Sequence, residues 1–224
     1  MQLKCRMFKL RKRRLECDDR GLTLPEVLVA VTILAIIIIP LGDALIGYVR
    51  NTDATTRRMS ESHDIQVATA FFADDVRNLG VRDWTMPTLP LQQSVNAFQC
   101  SGTGTHVITL AGSSPETATG MPRIVAATYV VRTVSGELQL VRLSCHRAVN
   151  SSGVPDAEVS DAGGSGVVVV HNLASAPDPP VCVPSLCTGV GAAVPQTVTL
   201  TMTVRHPQNS VTSLVTLTGV RRQT

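Results

Sequence analysis

The chain has 224 residues, of which 44% are apolar, 17% charged and only 3% aromatic. That length holds one modest domain with accessory segments and excludes a pair of ordinary domains. The net charge of +3 hides a division at Gly21: the first 21 residues carry eight Lys/Arg against three acids, a net +5, which leaves −2 for the remainder. A basic cluster beside an apolar run reads as a topogenic signal held in the cytoplasm, ahead of a nucleic-acid patch.

Residues 1–21 are not an ordinary secretory signal, whose small-residue cleavage site follows the apolar core. Here the small residue, Gly21, precedes it. Cleavage after Gly21 removes the basic head and leaves the apolar segment attached, with a new α-amino group on Leu22. From Leu22 to Ile39 the only polar side chains are Thr23, Thr32 and one carboxylate, Glu26. A helix starting near Leu22 tolerates Pro25, because first-turn amides have no intrahelical partner to lose. Eighteen residues cover about 27 Å at roughly 1.5 Å per residue, and continuation to Ile46 gives one membrane span. Pro40 removes the amide that bonds the carbonyl of Ile36, and Gly42 lowers helix propensity further, so a kink or melted turn is expected there.

From Tyr48 to Leu79 the composition remains helical, and Ile65, Ala68, Phe72, Val76 and Leu79 form one apolar stripe. Arg57, Arg58, Glu61, Asp74, Asp75 and Arg77 are expected to stay solvated or pair locally, with Gly80 as the stop. Residues 81–105 read as a loop lying over a sheet. Strand patterns follow at His106–Leu110, Arg123–Arg132 and Glu137–Arg147, with Ser135-Gly136 as the turn between the last two. After a second loop, Asn150–Gly166, the run Val167–Val170 predicts a strand buried on both faces. A proline-rich loop leads to Thr197–Val204, which alternates strictly and places Val198, Leu200, Met202 and Val204 on one face. Val211–Val220 returns as its hairpin partner. One long helix laid on an antiparallel sheet is an α+β arrangement.

Cys5 and Cys17 lie in the head, and Cys100, Cys145, Cys182 and Cys187 lie beyond the span. With the head cytoplasmic, the distal four reside in an oxidising space, where they allow three pairings. The favoured pairing joins Cys182 to Cys187 and Cys100 to Cys145; free buried thiols are the alternative, and zinc is disfavoured by the spacing. Asp156, Glu158 and Asp161, in the loop that runs to Gly164, offer a weak calcium site against the simpler reading of a solvated acidic loop. The five histidines make no metal pair, and no nucleophile elbow or phosphate loop is present. The expectation is a chain that is not an enzyme.

Gly21 followed by Leu22-Thr23-Leu24-Pro25-Glu26-Val27-Leu28-Val29-Ala30 resembles the type IV prepilin signal, with Leu22 in place of the usual Phe or Met. The stretch Phe71–Gly80, with Tyr129–Arg132 and Leu140–Arg142, resembles PilW-type minor pilins and J-type pseudopilins of type II secretion. The resemblance implies a type IV pilin-like fold and four regions. These are a removed leader (1–21), a transmembrane first half of the helix (22–46), an amphipathic second half (47–80) and an exported β-rich head (81–224). It also implies cutting between Gly21 and Leu22 by a prepilin peptidase, N-methylation of Leu22, a pairing role for Glu26 in assembly, and unwinding around Pro40 and Gly42 as subunits pack. Expected partners are that peptidase, other pilin subunits, the assembly platform and membrane lipid, with no firm sign of nucleic acid. The expected function is a minor pilin or pseudopilin that initiates or caps a pilus-like filament. It starts in the inner membrane with its N-terminus cytoplasmic and reaches the cell surface on assembly. Alternatives are a type II secretion pseudopilin, a DNA-uptake pilin, or an unrelated bitopic membrane protein.

Overall fold

A computed structural model describes residues 23–115, 122–161, 164–187, 193–206 and 211–222. The chain divides into two compact units, Met1–Thr52 and Asp53–Thr224. Helix α1 runs from Leu24 to Arg77. It is unbroken at Pro40 and Gly42, so no melted turn appears in this state.

The second unit holds the strands. Two short pieces, β1 (Val81–Arg82) and β2 (Leu91–Gln92), pair with each other. The main sheet is built from β3 (Thr105–Pro115), β4 (Pro122–Val134), β5 (Glu137–Ala148), β6 (Val159–Ser160), β7 (Val167–Leu173), β8 (Val181–Val183), β9 (Thr197–Arg205) and β10 (Thr212–Val220). Its order is β10-β9-β7-β5-β4-β3, with β6 added beside β5 and β8 beside β9, and every pairing is antiparallel. The architecture is therefore α+β: a long N-terminal helix and a large antiparallel sheet.

Local chemistry explains the joints. Ser135 and Gly136 both take positive φ, 53° and 84°, between the paired residues Val134 and Glu137. That is the geometry a two-residue hairpin with the right-handed strand twist demands. On β9 the strict alternation buries Val198, Leu200, Met202 and Val204, as the period of two requires. The turn joining β9 to β10, at 207–210, lies outside the described residues.

Two apolar clusters lie on opposite faces of the sheet. On one face, Ala68, Phe72, Val76 and Leu79 of the helix stripe are fully buried against Ile108, Tyr129, Leu140, Leu200 and Leu217. On the other, Val81 and Trp84 with Phe98 and Cys100 cover Ile124, Ala126, Leu143 and Cys145. Val81, Trp84, Phe98 and Cys100 thus make a third layer, while Leu91 and Val95 of the same segment pack into the helix-side cluster. Thr109 and Thr128, both buried, share a hydroxyl–hydroxyl bond, and Thr128 accepts the Cys100 amide, which satisfies polar groups that would otherwise be stranded inside.

Two expectations are corrected. The run at Val167–Val170 is not buried on both faces throughout: Val167 is exposed and Val168 half-buried, whereas Val169 and Val170 both enter the helix-side core. Register shifts between β5 and β7 around Leu140 break the alternation there. Asp75 is neither solvated nor paired along its own helix, as described below. Arg57, Arg58 and Glu61 lie on the helix, but their side chains are outside the described set.

Candidate functional site at the helix start

The first described residue, Thr23, initiates α1. Its carbonyl accepts the amides of Glu26 at 3.0 Å and Val27 at 3.2 Å, and Pro25 sits in the first turn where its missing N–H costs nothing. Glu26 occupies that first turn, where a carboxylate meets the positive end of the helix dipole. It is exposed, and no ion pair joins it to another described residue. Gly21 and Leu22, the expected cleavage and methylation residues, lie outside the described residues, as do Cys5 and Cys17.

From Val27 to Ile39 the helix surface is apolar all round except for Thr32. The most apolar 18-residue stretch within Leu24–Asp53 has a mean hydropathy of 2.6, and none of it is buried within the protein. Ile36 is 71% exposed and Ile39 68%. A surface of this kind needs a non-aqueous neighbour, and the segment is long and apolar enough to cross a membrane once. Thr32 is compatible with that setting because its hydroxyl donates to the carbonyl of Val29 at 2.8 Å. The prokaryotic N-terminal methylation motif matches residues 18–42. That match marks the N-terminal segment as a prepilin-like methylation signal. No curated protein and no solved structure matches the chain.

The remaining candidate residues lie in the second unit, beyond the matched segment. Both disulfides form with the favoured pairing: Cys100 with Cys145, tying the covering segment to β5, and Cys182 with Cys187, closing a short loop. The acids of the 156–164 loop do not converge. Glu158 accepts from the Ser101 amide and hydroxyl and pairs with Arg147, while Asp161 bonds His146. Among the described residues no three potential ligands gather for a metal.

Sequence reasoning missed one constellation. The Arg142 guanidinium donates to both carboxylate oxygens of Asp75, at 2.6 and 2.8 Å, and the Tyr129 hydroxyl donates to the same group at 2.7 Å. Burial, and then the negative Asp75, push the Tyr129 phenol well above its usual value. Burial alone would lower the Arg142 pKa, but the bonds to Asp75 outweigh it and raise it. Asp75 is the helix residue just before Val76 of the apolar stripe, and that adjacency was the available signal. An acid at the edge of a buried stripe needs a cation on the facing sheet.

Proposed function

We propose that the chain is a minor pilin or pseudopilin, a non-enzymatic subunit stored in the membrane and assembled into a type IV pilus-like filament that it initiates or caps. The observation that carries this reading is the methylation motif at 18–42 seated on an apolar, membrane-length helix. A prepilin peptidase cuts between Gly21 and Leu22, and methylation of the Leu22 amine retains its positive charge. Before the cut, the +5 head cannot enter the bilayer. After it, Leu22 bears an ammonium and Glu26, one turn along, a carboxylate. A charge in the span costs from about 2.5 kcal/mol upward, so each unpaired Glu26 favours an ammonium supplied by a neighbouring subunit. Cleavage thereby switches assembly on.

Orientation follows from the same charges: the basic head stays cytoplasmic and the disulfide-bearing head domain is exported, where thiols oxidise. Other pilin subunits, the assembly platform and membrane lipid are the partners. The minor or capping role rests on the resemblance of Phe71–Gly80, Tyr129–Arg132 and Leu140–Arg142 to PilW-type and J-type subunits. A type II secretion pseudopilin is the nearest alternative. A DNA-uptake pilin would need a cationic surface on a processed part whose net charge is −2.

N-terminal sequencing of the protein recovered from membranes tests the reading. A chain beginning at N-methylated Leu22 is expected, and any other start removes the claim. Glu26→Ala should be processed normally yet be missing from sheared filaments. Incorporation at the wild-type level would show that the pairing is wrong.

A further inference from the structure

On the sheet face that carries α1, beside the helix's last turn, lies a cleft of about 500 Å³, within the usual range of small-ligand sites. Asp74, Asp75 and Asn78 come from the helix end; Ser114, Arg123 and Arg142 come from β3, β4 and β5. Arg142 is committed to Asp75 through both oxygens. Arg123 is not committed: its side chain has no ion pair or hydrogen bond with any described residue, and its Nε is buried without a partner. The residue sits in an unbroken ladder, opposite Ser114 on β3 and Ala148 on β5, so its backbone is held by both neighbouring strands. A guanidinium without a partner among the described residues, at the edge of a cleft, is available to an anion.

We infer that this cleft takes the carboxylate of an acidic residue within a peptide, Arg123 supplying the cation and Ser114 a hydroxyl. The planar guanidinium fork matches a carboxylate. Asp74, exposed on the opposite wall and without an ion pair of its own among the described residues, disfavours a doubly charged phosphate and suits the donor N–H groups of a peptide backbone. The source of the peptide is a neighbouring subunit, a clause that rests on the filament reading; a free acidic metabolite offers the same chemistry.

Two measurements separate these sources. In the first, the full chain in detergent micelles is titrated with N-acetylglutamate while arginine Nε–H signals are followed by NMR. One signal, absent in Arg123→Lys, should shift saturably, whereas N-acetylglutamine should leave it in place. The signal of Arg142, bonded to Asp75, reports that the variant is folded. Absence of a saturable shift overturns the site whatever the chain's role, and a failed N-terminal sequencing result would not affect this arm. In the second, cells assembling Arg123→Lys are treated with a carbodiimide, which joins the introduced amine to a touching carboxylate. An amide to an acidic residue of another pilin subunit supports the proposal. An amide to Asp74 or any other carboxylate of the same chain overturns it. No adduct alongside a positive titration overturns the subunit source and assigns the cleft to a free carboxylate.

Discussion

Asp75 and Arg142 show how one pair of side chains fixes the helix to the sheet. The carboxylate is 8% exposed and the guanidinium 18%, so both have given up most of their water. Neither ion gains much over an apolar pair, but removing one strands the other at a cost of about 3–5 kcal/mol. Asp75→Asn should therefore lower stability by about 3 kcal/mol in denaturant titrations of the detergent-solubilised chain. Arg142→Met added to it should recover part of the loss, because no buried charge remains unpaired. His106 gives a pH signature outside the membrane span. Burial holds its imidazole below the ordinary value of 6.5, so the unfolded chain binds more protons as pH falls below that value. The stability this group contributes should therefore be full above pH 6.5 and decline as pH drops toward the folded pKa. His106→Gln, which keeps a polar group near the Thr109 hydroxyl, should flatten that part of the profile.

At the level of elements, the last turns of α1 approach the sheet through two positions without side chains. A Cβ on Gly219 of β10 would lie 2.4 Å from Val76 Cβ, and one on Gly112 of β3 would lie 2.0 Å from the carbonyl oxygen of Asn78. The second is a clash with backbone, so the helix end must move to accept it. Gly219→Ala should cost about 1–3 kcal/mol through overpacking, read as a lowered melting temperature. At Gly47, where nothing lies within 4 Å, the same change should have no such effect. The helix stripe itself was legible, since Ile65, Ala68, Phe72, Val76 and Leu79 recur at spacings of three and four. The glycines were not, because a close approach depends on which strand the helix crosses. The short strands β1, β2, β6 and β8 were equally hidden: two or three residues carry no period.

At the scale of the molecule, the sheet is covered on both faces, by the helix on one and by a loop-rich layer on the other. The second layer has little regular structure of its own and is held by the Cys100–Cys145 bridge, 45 residues apart in sequence, and by the bond from the Cys100 amide to the Thr128 hydroxyl. Loop closure at that separation is worth roughly 4 kcal/mol, against roughly 2 for the short Cys182–Cys187 loop. Cys100→Ala/Cys145→Ala should accordingly destabilise the head about twice as much as Cys182→Ala/Cys187→Ala, as measured by denaturant midpoints of the two double variants.

The sequence by itself determined the features that depend on order along the chain. These are the basic head before Gly21, the single carboxylate at Glu26 within an apolar run, the helix stripe, the Ser135-Gly136 hairpin and the alternation of β9. Each is a local pattern whose physical cause, whether charge against lipid, helical period or strand pleat, acts within a few residues. The tertiary structure alone decided what meets across the sheet: the Asp75–Arg142–Tyr129 cluster, the approach of Val76 to Gly219, and the cleft in which Arg123 has no ion pair among the described residues. The helix-to-sheet pairs are 54 residues or more apart in sequence, and strand register, which no local pattern encodes, brings them together.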